Sequence, residues 1–167
     1  PKKKLGQNFL HDKNIISSIV NKANIEDEDI IEIGPGPGIL TESILNNKAR
    51  SLLAIEKDDS FEVNLKKIRS NYRDNFDYLI NDVIDFDFKK LTKKNYKFVS
   101  NLPYNISVPF ILKMIRIRKI IPWKEMILMV QKEVAERITA KINTKNYGRL
   151  SIMVNLNNDV KKLLNVK

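Results

Sequence analysis

Apolar residues along the chain fall into two alternating kinds of stretch. Short, nearly continuous runs such as Ile30-Ile31-Glu32-Ile33, Ser51 to Glu56, Asp77 to Asn81, Tyr96 to Ser100 and Met126 to Val130 have the length and β-branched content of buried strands. Between them lie longer mixed segments with apolar positions three and four apart, the spacing of one helix face. Ile15, Ile16, Ile19 and Val20 predict a helix over 13–23 with Asp12 as its cap. Further helices are predicted over about 38–47 and 58–69. Another begins at Ser107, read as its cap, and runs through Phe110, Ile111, Met114 and Ile115; a last one covers 132–140. Pro109 falls in a first helical turn, where its missing N–H does no harm. Leu150 to Asn155 and Val160 to Val166 read as two closing strands joined around Asn157-Asn158.

Strand and helix therefore alternate from end to end, the signature of an α/β domain with a mainly parallel sheet and helices on both faces. With the terminal hairpin the expected sheet is seven-stranded and Rossmann-like. The 167 residues suffice for one domain with its own core, and no repeat or low-complexity linker divides them.

Three of the five glycines lie in Glu32-Ile33-Gly34-Pro35-Gly36-Pro37-Gly38, between the first strand and the second helix. Glycine at such a turn allows positive φ and close approach of backbone to a ligand. A dinucleotide loop would follow G-x-G-x-x-G and aim its amides at a pyrophosphate. Here position 39 is Ile, and Pro35 and Pro37 have no N–H to donate. The loop suits a nucleoside-like ligand without phosphate, of which S-adenosylmethionine is the common example. A nicotinamide dehydrogenase is disfavoured by the same prolines and by the lack of a histidine placed to relay a hydride's proton. Glu56 ends the second strand about 20 residues past the loop, where an acid takes ribose hydroxyls in this topology. Asp82 ends the third strand, where an acceptor can hold an adenine amino group. Each acid alone could be a solvated cap, but together they share the carboxyl edge of adjacent strands.

Composition narrows the class. Hydrophobic residues make up 43% and charged residues 30%, as in an ordinary globular protein. The absence of cysteine excludes disulfides and thiolate metal sites. The longest apolar runs fall well short of a membrane span, and Pro1-Lys2-Lys3-Lys4 has no apolar stretch behind it. These features lead us to expect a cytoplasmic, monomeric protein with no membrane partner and no metal. Net charge is +10, from 30 Lys and Arg against 20 Asp and Glu. Such an excess fits a polyanion partner, although a lysine-rich proteome would give it too.

At the end of the fourth strand stands Asn101-Leu102-Pro103-Tyr104-Asn105-Ile106-Ser107. A plain strand-to-helix turn needs neither the amide nor the tyrosine. Methylation of an exocyclic amine gives both a purpose. That nitrogen is a poor nucleophile because its lone pair is delocalised into the ring. Acceptors on its two hydrogens, the Asn101 side-chain oxygen and the Leu102 carbonyl held by Pro103, would draw it toward tetrahedral geometry. Tyr104 offers a face on which a base taken out of a helix can stack.

These residues occur within a series of words: Leu5-Gly6-Gln7-Asn8-Phe9-Leu10, the glycine loop through Thr41, Asn81-Asp82-Val83 with Asp85-Phe86, the Asn101 to Ser107 stretch, Val130 to Arg137, and Tyr147 to Ser151. In this order the series resembles the ribosomal RNA small-subunit adenine N6,N6-dimethyltransferases, the KsgA type. The resemblance implies S-adenosylmethionine as cofactor, with S-adenosylhomocysteine as product. It implies two adjacent adenosines of small-subunit ribosomal RNA, in an immature 30S subunit, as substrate. It assigns Asn101, Leu102, Pro103 and Tyr104 to the target base, and Gln7, Asn8, Leu10, Gly34, Gly36, Glu56, Lys57, Asp82, Val83 and Asn101 to the cofactor. It also implies a further small helical domain that helps bind RNA, beginning where residue 167 stands. The related Erm-type enzymes, which methylate large-subunit RNA, and a non-catalytic RNA-binding assembly factor on the same fold remain open as alternatives.

Other positions have plainer readings. Phe86 and Phe88 are expected to pack on the core, and His11 to sit at the surface. Lys132, Glu133, Glu136 and Arg137 read as a solvated helix face. Tyr147-Gly148-Arg149 could contact RNA or brace the Asn101 loop.

Overall fold

The computed structural model describes residues 12–91, 95–156 and 158–166. Five strands, β1 (Asp29–Ile33), β2 (Ser51–Glu56), β3 (Phe76–Ile80), β4 (Tyr96–Asn101) and β5 (Trp123–Met129), form one sheet in the order β3-β2-β1-β4-β5. Every pairing is parallel. The order reverses between β1 and β4, the kind of switch point at which open α/β sheets form a crevice. The helices are α1 (Lys13–Ala23), α2 (Ile39–Asn46), α3 (Glu62–Asn71), α4 (Ser107–Ile117), α5 (Lys132–Ile138) and α6 (Arg149–Asn155).

Parallel strands covered on both faces need apolar side chains on both, and successive residues supply them alternately. Ile30, Leu52, Ala54 and Val99 pack under α1, α2 and α3 with Ile16, Val20, Ile44 and Leu65. Ile31, Ile33, Ile55 and Phe98 face the other way, onto Phe110 and Met114 of α4 and onto Val83, Phe86 and Phe88. Phe86 and Phe88 thus pack as expected, ring edge to ring face with centroids 5.0 Å apart. Asp12 caps α1, its carboxylate accepting the amides of Asn14 at 2.8 Å and Ile15 at 3.3 Å. Lys132 and Glu136 form the expected one-turn charge pair at 3.8 Å.

The chain departs from expectation in two places. Residues 149–155 form a helix, not a strand, and 160–166 carry no regular structure, so the sheet of the described residues has five strands instead of seven. The apolar run there is ambiguous by pattern, and packing decides it: Leu150 and Val154, four apart, bury against Ile111 of α4 and Val134 and Ile138 of α5. Ser151 reinforces the helix, accepting the Gly148 amide at 3.1 Å and donating to the Arg137 carbonyl. Gly148 therefore opens α6, with extended backbone. Ser107, in turn, does not cap α4. The Pro103 carbonyl already accepts the amides of Ile106 and Ser107, both at 3.2 Å, so the chain is wound before Ser107 is reached. The Ser107 hydroxyl donates back to the Tyr104 carbonyl at 3.2 Å.

Candidate active site

The carboxyl ends of β1, β2, β3 and β4 open into one cleft of about 860 Å³, part of it open to solvent. Gly34 forms its floor, with φ +67°, and donates its N–H to the Ile55 carbonyl at 2.9 Å. A Cβ on Gly34 would stand 3.3 Å from Cδ of Pro103, tighter than ordinary contact, and the positive φ adds backbone strain, so glycine is favoured where the glycine turn faces the Asn101-Leu102-Pro103-Tyr104 turn. Gly38 is disfavoured for a side chain chiefly by its φ of +90°, and Cδ1 of Ile68, 2.2 Å from its Cβ position, would also have to move. Part of the work expected of the glycines toward a ligand is therefore done within the protein. The Gly36 amide also turns inward, donating to Oε2 of Glu56 at 2.9 Å.

Three carboxyl groups line this cleft. Glu56 accepts the amides of Gly36 on Oε2 at 2.9 Å and Asp58 on Oε1 at 2.8 Å, with the Lys57 amide also turned toward it. Burial pushes its carboxyl up, against the pull of those amides. Glu32 is more deeply buried, and desolvation carries it to about 8 despite the Thr41 hydroxyl donating at 2.7 Å; the nearby Glu56 charge adds to the rise. Asp82 is pushed up by partial burial, but the Lys57 ammonium at 2.6 Å and the Ile84 amide at 2.9 Å outweigh this and hold it below the ordinary carboxylate value.

Lys57 is the one cation lining the cleft among the described residues, and it is already paired with Asp82. A pyrophosphate would meet carboxylates here and find no unpaired cation. A nucleoside carrying hydroxyls, an amino group and a positive charge meets acceptors, with Ile39, Leu40, Val83 and Ile106 as apolar walls. The residues present thus fit S-adenosylmethionine.

Gly34, Gly36, Glu56, Lys57, Asp82, Val83, Asn101 and Pro103 all line the cleft. Leu102 is not in the cleft wall but buried, 2% exposed, with its N–H on the Met129 carbonyl at 3.1 Å. Tyr104 stands outside the cleft wall, 46% exposed. Gln7, Asn8, Leu10 and His11 lie outside the described residues. The cleft also includes Glu32, Phe61, Asn81 and Asn105, which the sequence reading did not assign to it. For Glu32 the signal was an acid inside an otherwise apolar strand, and for Asn105 its adjacency to Tyr104. Phe61 gave none, because a short helical turn over Asp59–Phe61 brings it in.

The sequence profile described as ribosomal RNA adenine dimethylase matches residues 1–167. The chain belongs to this family. Two curated relatives, both named ribosomal RNA small subunit methyltransferase A, come from Anaplasma marginale (strain Florida) and Ehrlichia canis (strain Jake). The first is 44% identical over 162 residues, covering 96% of this chain and 59% of the relative. The second is 40% identical over 164 residues, covering 98% and 62%. The chain thus spans about 60% of the length of these dimethylase-family relatives. Among solved structures, the dimethyladenosine transferase of Plasmodium falciparum superposes with a TM-score of 0.76 at 32% identity, over 89% of this chain and 52% of that one. The 23S ribosomal RNA methyltransferase ErmE superposes at 0.65 with 24% identity, over 88% and 55%, a likeness of fold.

Proposed function

We propose that residues 1–167 are the catalytic domain of an S-adenosylmethionine-dependent methyltransferase acting on small-subunit ribosomal RNA. It methylates the exocyclic N6 of two adjacent adenosines to N6,N6-dimethyladenosine. The observation that carries this reading is that the Gly34 turn and Pro103 line one cleft. This joins the nucleoside side of the cleft to the amine-binding turn in one space. The names of the dimethylase-family relatives support the choice of substrate.

S-adenosylmethionine, when bound, supplies a methyl group on a positively charged sulfur. Toward it, Glu56 accepts the ribose hydroxyls and Asp82 the adenine amino group. Lys57 and Val83 border the base; Gly34, Gly36 and Asn101, with Gln7, Asn8 and Leu10, complete its surroundings. Toward the substrate, the Asn101 oxygen and the Leu102 carbonyl accept the two amino hydrogens of the target adenine, so that the nitrogen lone pair is released from the ring. Tyr104, exposed at the rim, stacks the base once it has left its helix. No general base is required, because the nitrogen becomes cationic on alkylation and sheds its proton afterward.

The test is methyl transfer by the full-length protein to under-methylated 30S subunits, naked small-subunit RNA and large-subunit RNA. Incorporation into two adjacent adenosines of the small-subunit substrates is expected. Transfer to large-subunit RNA alone would overturn the substrate assignment, and no transfer to any of them would overturn the enzymatic reading.

A further inference from the structure

The turn that follows Asp82 has no strand to hold it, yet it supplies Asp82 and Val83 to the cleft. It is wound by the Asp82 carbonyl, which accepts the amides of Asp85 at 3.0 Å and Phe86 at 2.9 Å. Such a turn leaves its own later carbonyls without partners along the chain. Lys113, from the middle of α4, reaches across to them. Its ammonium donates to the carbonyls of Val83 at 3.1 Å, Ile84 at 2.6 Å and Phe86 at 2.7 Å, and lies 5.2 Å from the centre of the Phe88 ring. An ammonium has three N–H groups, and here all three are spent on one turn.

The same helix begins directly after Asn101-Leu102-Pro103-Tyr104-Asn105-Ile106. Lys113 therefore spans the two walls of the cleft that no sheet ladder joins: β3 lies at one edge of the sheet, separated from β4 by β2 and β1. Below this tie, Phe86, Phe88, Phe98 and Phe110 form a continuous row of rings with centroid separations of 5.0, 6.0 and 5.8 Å. The rings fill space between turn and helix but offer no donor to the turn's backbone carbonyls. Three charge-assisted hydrogen bonds from one tetrahedral group satisfy those carbonyls and orient the turn.

We infer that Lys113 is a positioning residue for the cofactor: it sets the orientation of the Asp82-Val83 turn relative to the helix that carries the methyl-accepting site. This rests on the cofactor reading above. Lys113 is not itself in the cleft wall, so it acts through Asp82 and Val83. Arginine is a poor substitute, since its planar fork cannot meet three converging carbonyls.

The test is calorimetric titration with S-adenosylhomocysteine of the unmutated chain, Lys113→Met, Lys113→Arg, Asp82→Ala and the Lys113→Met/Asp82→Ala double variant, at a temperature where circular dichroism shows each to be folded. Lys113→Met is expected to raise Kd by about tenfold or more, the scale of losing hydrogen bonds to a charged group. Lys113→Arg should recover little of that. In the Asp82→Ala background the effect of Lys113→Met should shrink severalfold, because the acid being positioned is gone. A lysine that only stabilises the fold would weaken binding by the same factor in both backgrounds, and that result overturns the proposal. So does tight binding by the unmutated chain together with an unchanged Kd in Lys113→Met. Absence of binding by the unmutated chain overturns the cofactor reading, and this proposal with it.

Discussion

Glu32 sits on the middle strand with Thr41 as its hydrogen-bond partner, and burial raises its carboxyl to about 8 from an ordinary value near 4.5. Below the unfolded value both states carry the proton. Between that value and about 8 the folded protein keeps a proton that the unfolded chain releases, so stability falls as pH rises through this window and levels off above it. Urea unfolding from pH 5 to 9 should show this descent in the native protein and a clearly shallower one in Glu32→Gln, where the raised Glu56 remains. Parallel curves would mean that Glu32 ionises normally in the fold. At Asn101 the expectation concerns rate. Asn101→Ala should slow single turnover by roughly 10²–10³, as for a lost oxyanion-hole donor, with little loss of substrate affinity. Tyr104→Ala should lose stacking worth about 1–3 kcal/mol, while Tyr104→Phe stays near native because the ring is what the base meets. An Asn101→Ala protein of native rate would contradict the amine-acceptor role.

Elements here are held as much by what crosses between them as by their own pattern. Lys97, on β4 and 3% exposed, donates to the Ala23 carbonyl at 2.9 Å and the Asn24 carbonyl at 2.8 Å, capping the last turn of α1 with positive charge, and lies 3.3 Å from Glu28. Four residues of strand, about 13 Å, separate it from Asn101. Lys97→Met should therefore cost about 1–3 kcal/mol of stability in urea unfolding and leave binding of S-adenosylhomocysteine unchanged. Weakened binding at full folding would show that the two edges of the sheet are coupled. The elements with a strong period of their own were legible from residues: α1 with its Asp12 cap, and β2 over Ser51–Glu56, fall where the pattern put them. The segment at 149–155 did not, since a run of Leu, Ile, Met and Val fits either period until α4 and α5 offer it a surface.

For the whole molecule, net charge of +10 coexists with a cleft lined by three carboxyls and one paired lysine. The excess positive charge must therefore lie elsewhere on the molecule, outside the cleft proposed for the cofactor. Ribosomal RNA binding should weaken steeply as salt rises from 50 to 200 mM, as phosphate contacts do, while binding of S-adenosylhomocysteine changes little over the same range. Equal salt dependence of the two would place RNA and cofactor on one electrostatic surface.

Read without a structure, the chain determined its own fold class, because period-two and period-3.6 patterns are local properties of residues. It also marked Gly34, Glu56, Asp82 and Asn101, each at or just past a strand end, and these residues line the cleft. Tertiary structure alone decided what those residues do to one another. That Pro103 crowds the side-chain position at Gly34, that Gly36 spends its amide on Glu56, and that Lys113 closes the turn after Asp82 are relations across 69, 20 and about 30 positions. No sequence period encodes such separations. They exist because a parallel sheet brings the carboxyl ends of distant strands to one edge, where buried polar groups must find partners in whichever segment arrives beside them.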